Sequence, residues 1–256
     1  TSNIDLVGNE NTFVLDASSE FDFFGYSYDP LYTDDSEVLV LQGSVGAGTR
    51  SIEFGEATGA AEDWDVVSFD GLDSGITLDL STVDANYDAT ATSMGQTVAY
   101  VDGAEGVFGS GFEDVIAGDS ARNILHGGDG TDNVAGGAGQ DLISGGSGVG
   151  DIVRGNAGED ILVDLDGGHL YGDDPGGLRE NDSFVVGQNT TIQDFDLSPD
   201  GAGLSGRSNQ INDVVFVQVT AASLAAAGFT LNEIYELVSG DQQYADQWRN
   251  FVKELE

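Results

Sequence analysis

The sequence predicts an all-β fold in which short parallel strands stack in coils, as in a β-roll or β-solenoid. Three observations lead to this prediction. A nine-residue pattern, Gly-Gly-x-Gly-x-Asp-x-apolar-x, stands twice without a gap at residues 127–144. Variants of the pattern flank it, and stretches in which apolar and polar residues alternate precede it. One unit is too short to bury a hydrophobic face alone, so successive units must stack to share a core.

The first predicted segment, residues 1–60, is β-rich. Short apolar runs alternate there with acidic turns. Phe21 and Phe23 are spaced two apart, as are Val38 and Val40, and this spacing is typical of β-strands.

The second predicted segment, residues 61–108, is a strand-rich entry into the repeats. The stretch DWDVVSFDGLDSGITLDLSTV at 63–83 favours strands that are broken at Gly71 and Gly75. The polar stretch DANYDATATSMGQT at 84–97 is predicted to be a loop.

The third predicted segment, residues 109–200, contains six copies of the repeat and a last, stretched copy. Each copy has an acid or amide at one fixed phase and an apolar residue two positions later. The acid or amide residues are Asp114, Asn123, Asp132, Asp141, Asp151, Asp160 and, in the stretched copy, Asp182. The apolar residues are Ile116, Leu125, Val134, Ile143, Val153, Leu162 and Phe184. A flexible glycine-rich linker would not hold both residue types at constant phase.

The repeated turns predict a site for a hard divalent cation. Closely spaced glycines permit a tight turn that directs several carbonyls toward a common centre. Nine residues make half a coil, so each turn lies about 4.8 Å from the turn two copies along. Carboxylates stacked at that spacing repel one another unless a cation lies between them. Ca²⁺ takes 6–8 oxygen ligands, whereas Mg²⁺ demands a smaller octahedron and zinc prefers nitrogen or sulfur. The predicted facing pairs are Asp114 with Asp132, Asn123 with Asp141, Asp132 with Asp151, and Asp141 with Asp160.

The copies GGDGTDNVA and GGAGQDLIS resemble the RTX (hemolysin-type) calcium-binding nonapeptide repeat. The flanking stretches DVVSFDGLDSGITLDLS and NDSFVVG resemble the entry and exit of such a block, so the resemblance covers about residues 60–200. It implies a calcium-bound parallel β-roll. The residue patterns outside the repeats add flanking β-strands and a small C-terminal helical segment to the expected fold. The resemblance also implies about four to seven bound Ca²⁺ ions.

The resemblance implies that the turn residues are the calcium ligands, through side chains at the acidic position and carbonyls elsewhere. The implied set is Asp114, Asn123, Gly127, Asp129, Asp132, Gly136, Ala138, Asp141, Gly145, Ser147, Asp151, Asp160 and Asp182. Asn123 replaces an acid and should weaken its site. An insertion at Val149–Gly150 should distort the site that uses Asp151. The first two copies lack the double glycine and should bind fewer ions.

The last predicted segment, residues 201–256, comprises a strand and two amphipathic helices. Thr230 and Glu233 form a capping box at the start of the first helix. The two helical stripes are Leu231, Ile234, Tyr235 and Val238, then Tyr244, Trp248, Phe251, Val252 and Leu255. We expect these helices to cap the β structure or to carry a secretion signal.

The net charge of the chain limits the kinds of molecule that it can bind. Seven basic residues stand against 46 acidic ones, which gives a net charge of −39. Such a chain repels nucleic acid and anionic membrane surfaces and attracts cations.

The sequence contains no cysteine, which excludes disulfides and thiolate metal sites. No apolar run is long enough for a membrane span.

The predicted function is that of a secreted, calcium-folded protein of the bacterial cell surface or matrix. Carboxylate repulsion and glycine entropy should keep the chain unfolded in low cytosolic calcium, and extracellular calcium should fold it. The RTX resemblance implies type I secretion, which fits the absence of an N-terminal signal. Calcium is the expected partner, with cell-surface polysaccharide or further copies of the chain as additional ones.

We do not expect an enzyme. Neither the zinc motif HExxH nor the nucleophile motif GxSxG occurs. His126 is expected at the surface, and Asp63 with Asp65 is interpreted as a degenerate turn or a surface pair. Two alternatives stay open: an accessory module of a larger secreted enzyme, and an adhesin that binds ligands through the aromatic run EFDFFGYSYDPLY at 20–32.

Overall fold

The computed structural model describes residues 2–6, 11–25, 37–48, 50–54, 65–83, 88–173, 180–187, 189–194 and 214–217. These residues form strands and turns. The strands are β1 (Ser2–Leu6), β2 (Asn11–Asp16), β3 (Phe21–Gly25), β4 (Glu37–Gly43), β5 (Arg50–Phe54), β6 (Val66–Leu72), β7 (Thr77–Asp79), β8 (Ala89–Ser93), β9 (Gln96–Asp102), β10 (Gly106–Phe108), β11 (Val115–Ala117), β12 (Ile124–His126), β13 (Asp129–Gly130), β14 (Asn133–Ala138), β15 (Leu142–Ser144), β16 (Ser147–Gly148), β17 (Ile152–Ala157), β18 (Ile161–Asp164), β19 (His169–Asp173), β20 (Ser183–Val186), β21 (Thr191–Ile192) and β22 (Val214–Val217).

The strands form two long sheets, and the chain passes back and forth between them. Sheet 1 has the order β1-β3-β5-β9-β8-β7-β11-β14-β17-β19-β21, and sheet 2 has the order β2-β4-β6-β10-β12-β15-β18-β20-β22. All pairings within sheet 2 are parallel, and those of sheet 1 are parallel except around β8. The predicted all-β parallel solenoid is confirmed.

The core lies between the two sheets and is formed by one inward-facing residue per short strand. In the repeats these residues are the predicted apolar ones: Ile116, Leu125, Val134, Ile143, Val153, Leu162 and Phe184, each at most 1% exposed. Burial of one such side chain contributes about 1.5–3 kcal/mol, so only the stacked series provides a stable core.

The same core continues through the N-terminal segments. Phe23, Leu39, Ile52 and Val67 are fully buried in the cluster that also contains the repeat residues. Both sheets run through the predicted boundaries at 60/61 and 108/109. Phe21 and Phe23 of the aromatic run are therefore core residues and not a ligand-facing surface, and residues 26–32 of that run lie outside the described residues.

The loop predicted at 84–97 is wrong over its described part, where β8 and β9 form an antiparallel hairpin. Ala89 and Ala91 face inward and are buried, and Thr90 and Thr92 are half-buried. Met94 and Gly95 form the turn with φ angles of 50° and 77°, as a tight two-residue hairpin requires. The alternation of alanine with threonine is a strand pattern that the polar composition concealed.

The predicted C-terminal helices lie outside the described residues. Among the residues that the structure does describe, no helix is long and apolar enough to cross a membrane.

Arg50 is a fully buried cation among the N-terminal coils. Its guanidinium donates hydrogen bonds to the carbonyls of Ser19 at 3.1 Å, Gly46 at 3.1 Å and Thr97 at 3.2 Å, and to that of Val98. These acceptors come from three separate stretches of chain. Burial lowers the pKa of Arg50, but a guanidinium stays charged in proteins. A covalently attached cation thus joins the turns at Ser19 and Gly46 to strand β9.

We predict that Arg50→Met destabilises the calcium-saturated chain by about 3 kcal/mol, because four carbonyls lose their donor. Arg154 provides a matched control. It lies at the half-buried outer face of sheet 1, bonds to Asn133 Oδ1 at 2.6 Å and stacks over Tyr171. Arg154→Met should lower stability by less than about 1 kcal/mol. Denaturant unfolding measures both, and equal losses would contradict a special role for Arg50.

Candidate cation-binding turns

The acidic repeat residues form two columns, each at the entrance to a series of strands. The first column, preceding β11, β14 and β17, consists of Asp114, Asp132 and Asp151. The second column, preceding β12, β15, β18 and β20, consists of Asn123, Asp141, Asp160 and Asp182. Every member of both columns is only 1% exposed. The sequence predicted the phase of these residues, and the parallel register places them in line.

Within each column, one side-chain oxygen is held by the coil before it. The Oδ1 atom of Asp132 accepts a hydrogen bond from the backbone N–H of Asp114 at 2.8 Å, and that of Asp151 from Asp132 at 2.9 Å. In the second column, Asp141, Asp160 and Asp182 accept equivalent bonds from Asn123, Asp141 and Asp160 at 2.8, 2.9 and 3.0 Å. The structure therefore brings together all four pairs that the sequence predicted to face each other.

The second carboxylate oxygen of four column members has no protein partner. The Oδ2 atoms of Asp132, Asp141, Asp151 and Asp160 are buried and receive no hydrogen bond. A buried unsatisfied polar group costs about 1–3 kcal/mol, and more when it is charged. Four such oxygens in register indicate that something outside the protein, a proton or a cation, completes them.

The first glycine of each repeat leaves the space that these oxygens face. A Cβ atom on Gly127 would stand 2.6 Å from Asp132 Oδ2 and would also collide with the carbonyl oxygen of Gly145. A Cβ on Gly136 would collide with Asp141 Oδ2 and stand 2.8 Å from the carbonyl oxygen of Gly155. The unpaired oxygens of Asp132, Asp141 and Asp160 thus each share a small space with a backbone carbonyl of the next coil. Hard cations prefer this set of oxygen donors.

Burial raises the pKa of all four carboxyls far above the ordinary value of 3.8. The pKa rises to about 7 for Asp132 and Asp141, to about 6 for Asp151 and to about 8 for Asp160. Loss of hydration is the main cause, and neighbouring negative charges add to it, whereas the bond from the backbone N–H acts in the opposite direction. The metal-free turns are therefore poorly suited to carry charge at neutral pH.

The first two copies satisfy their polar atoms internally. Asp114 Oδ2 accepts from the backbone N–H of Ser110 at 2.6 Å and from its hydroxyl at 3.1 Å. Asn123 Oδ1 accepts from the N–H of Asp119 at 2.9 Å, and its amide donates to the carbonyl of Glu105 at 3.4 Å. Ser110 stands where later copies have the second glycine, and sequence reasoning did not assign it this part.

The other predicted ligands lie along the same turns. Gly127, Gly136 and Gly145 border the spaces beside the column acids. Asp129 and Ser147 pair through β13 and β16, and both side chains are exposed, so only their backbone carbonyls are candidates. Ala138 ends β14, and its N–H donates to the carbonyl of Asp119 at 2.8 Å.

The insertion at Val149–Gly150 leaves the column hydrogen bond of Asp151 in place, and the expected distortion of the site that uses Asp151 stays a prediction. Val149 is 72% exposed and Gly150 adopts a φ of 88°, so the extra residue bulges outward. Asp151 keeps the same bond to the preceding coil as its counterparts. A left-handed glycine at the insertion absorbs the change in direction.

Two other expectations are corrected. His126 is half-buried at the end of β12, packs edge-on against Phe108 at 6.0 Å, and has a pKa lowered to about 4 by burial. Asp65 is fully buried at the start of β6, and its N–H donates to Glu105 Oε2 at 2.9 Å. Like the second-column acids, Asp65 immediately precedes a strand of sheet 2, so it is not part of a surface pair. Asp63 lies outside the described residues.

Among the described residues, no three acidic or histidine side chains converge on one point as a metal cluster. The donors beside the column acids are carboxylate and backbone carbonyl oxygens, which suit Ca²⁺ and disfavour zinc.

Comparison with known proteins agrees with this geometry. Residues 108–143 match the family model of the RTX calcium-binding nonapeptide repeat, in four copies. The match covers the start of the two columns. No curated protein matches the chain.

We predict that Gly127→Ala destabilises the folded chain by about 1–3 kcal/mol, because the added methyl group overfills the space beside Asp132. It should also weaken calcium binding. Gly111 provides the control, since a Cβ there would meet nothing within 4 Å. Gly111→Ala should leave both quantities unchanged. Calcium-dependent unfolding curves measure the difference, and equal behaviour of the two variants would contradict the assigned role of Gly127.

We also predict that the metal-free chain is more ordered at about pH 5 than at about pH 8. The raised pKa values mean that the folded state retains protons that the unfolded chain releases. Their stabilising contribution is complete below the ordinary pKa of 3.8 and is lost as the pH rises through about 6 to 8. Circular dichroism of the calcium-depleted chain measures this change.

Two variants separate the columns from the general charge of the chain. Asp160→Asn removes a group whose pKa is raised to about 8 and should shift the pH midpoint downward. Glu159→Gln removes an exposed neighbour and should leave the midpoint in place. A pH response that is the same in both variants would exclude the buried carboxyls as its source.

Proposed function

We propose that this chain, which carries RTX calcium-binding nonapeptide repeats in a β-roll, is a non-enzymatic protein that folds when Ca²⁺ binds between its coils. One observation carries the proposal: the buried Oδ2 atoms of Asp132, Asp141, Asp151 and Asp160 lack a protein partner. The oxygens of Asp132, Asp141 and Asp160 each share a space with a backbone carbonyl of the next coil. The oxygen of Asp151 lies beside Gly145, the first glycine of its own turn.

The proposed ligands are these four carboxylates together with carbonyls of the turn glycines and of Asp129, Ala138 and Ser147. The four unsatisfied carboxylates support binding of several ions, and the sequence predicts about four to seven. Asp182 continues the second column and is a further ligand. Asp114 and Asn123 are weaker candidates, because protein groups already satisfy their side chains.

Calcium binding supplies the free energy that the apolar core alone does not. An ion at 100 times its dissociation constant stabilises the folded state by about 2.7 kcal/mol, so about four ions contribute as much as the whole stability of a typical domain. Cytosolic calcium is too low for this, whereas extracellular calcium suffices. RTX repeats are typical of type I secreted proteins, and we infer that the chain is exported unfolded and folds outside the cell.

The proposed role outside the cell is structural. A net charge of −39 makes calcium-bridged contact with acidic polysaccharide, or with further copies of the chain, the natural form of attachment. Particle size with and without calcium distinguishes self-assembly from a monomer.

The number of bound ions tests the proposal directly. Asp141→Asn should bind one ion fewer, because it removes the charge of a buried ligand. Asp129→Asn is the matched control, since its side chain is exposed and only its carbonyl is a proposed ligand. It should bind as many ions as the wild type in equilibrium dialysis with calcium alone. A wild-type chain that binds no calcium, or equal loss in both variants, would overturn the assignment.

A further inference from the structure

The turn between β18 and β19 has the two key residues of the repeat in reversed order. In the coil before it, Gly145 opens the turn and Asp151 closes it. The register aligns Asp164 with Gly145, since Val163 pairs with Ser144. It also aligns Gly168 with Asp151, since His169 pairs with Ile152. The aspartate therefore stands at the glycine position, and the glycine stands at the aspartate position.

Asp164 is as well buried as the column acids and is half satisfied in the same way. It is 1% exposed. Its Oδ1 atom accepts from the backbone N–H groups of Asp166 at 3.0 Å and Gly167 at 2.9 Å, and from the hydroxyl of Thr190 at 3.0 Å. Its Oδ2 atom is buried and has no hydrogen-bond partner. The turn thus fixes the carboxylate and leaves one oxygen to be completed.

That oxygen lies beside the glycine of its turn, as the carboxylate oxygen of Asp151 does in the regular repeat. In the preceding coil, a Cβ on Gly145 would stand 2.7 Å from Asp151 Oδ2. In the reversed turn, a Cβ on Gly168 would collide with Asp164 Oδ2 and stand 2.8 Å from the backbone carbonyl oxygen of Asp151. Each glycine makes room for the carboxylate from the other end of its turn. Both turns therefore place a carboxylate oxygen beside a glycine, although the two residues stand in opposite order along the chain.

We propose that Asp164 Oδ2, with the backbone carbonyl of Asp151, forms a further binding site for a hard divalent cation, Ca²⁺. This site extends the first column one coil beyond the last regular copy of the repeat. A search for the nonapeptide pattern misses it, because no aspartate stands at the sixth position of this turn. The inference rests on the proposed calcium-dependent function and adds a ligand to it.

Restoring the regular order provides the test. Asp164→Gly removes the carboxylate, and the double variant Asp164→Gly with Gly168→Asp returns it from the usual end of the turn. Gly168 does not adopt a left-handed φ, unlike Gly167 at 113°, so its φ is compatible with an aspartate. The carbonyl of Asp151, 2.8 Å from the added Cβ, must shift slightly in the double variant. Asp164→Asn removes the charge with the least change in shape. Asp166→Asn is the matched control, because Asp166 lies in the same turn with an exposed side chain.

The full chain is measured by equilibrium dialysis with calcium, and circular dichroism at saturating calcium reports whether each variant folds. Asp164→Gly and Asp164→Asn should each bind one ion fewer than the wild type. The double variant and Asp166→Asn should match the wild type. An unchanged ion count in Asp164→Asn, or a double variant that folds without regaining the ion, would overturn the site. If Asp164→Gly fails to fold, the other variants decide. A wild-type chain that binds no calcium would instead refute the proposed function itself.

Discussion

Burial of stacked carboxylates is the constraint on which the rest of this structure depends. The short strands bury their apolar residues only when coils stack, and stacking brings an acid of each coil into a column. The protein satisfies one oxygen of each acid with a backbone N–H from the neighbouring coil. The other oxygen of Asp132, Asp141, Asp151 and Asp160 is left incomplete. A proton or a cation from solution must complete it, and the proposed function assigns this part to Ca²⁺.

The two halves of the solenoid meet this constraint differently. In the N-terminal coils, the Arg50 guanidinium joins carbonyls from three stretches of the chain, so the cation is part of the protein. At the start of the repeats, Ser110 and Asn123 supply neutral hydrogen bonds. Within the described repeats, the unsatisfied carboxylate oxygens begin at Asp132. The proposed dependence on calcium therefore rests on the regular repeats and on the reversed turn of Asp164.

The sequence predicted the structural features that recur at a fixed spacing along the chain and missed those that do not. Constant phase identified the column acids, their facing partners and the inward residues such as Val134 and Ile143. The N-terminal coils were recognised only as strands, because their partners, such as Asn11 and Glu37, are irregularly spaced along the chain. The reversed order of Asp164 and Gly168 does not match the repeat pattern. This turn resembles a repeat in where its carboxylate oxygen lies in space and not in where its aspartate stands along the chain.

Calcium titration of the metal-free chain by circular dichroism at about pH 8 tests the central claim most directly, with Mg²⁺ as the competing ion. Without metal the chain should give little β signal, and added Ca²⁺ should produce a cooperative gain. Mg²⁺ should produce no comparable gain, because it keeps its waters and needs a smaller octahedron. A full β signal in the absence of metal, or the same gain with both ions, would contradict that claim.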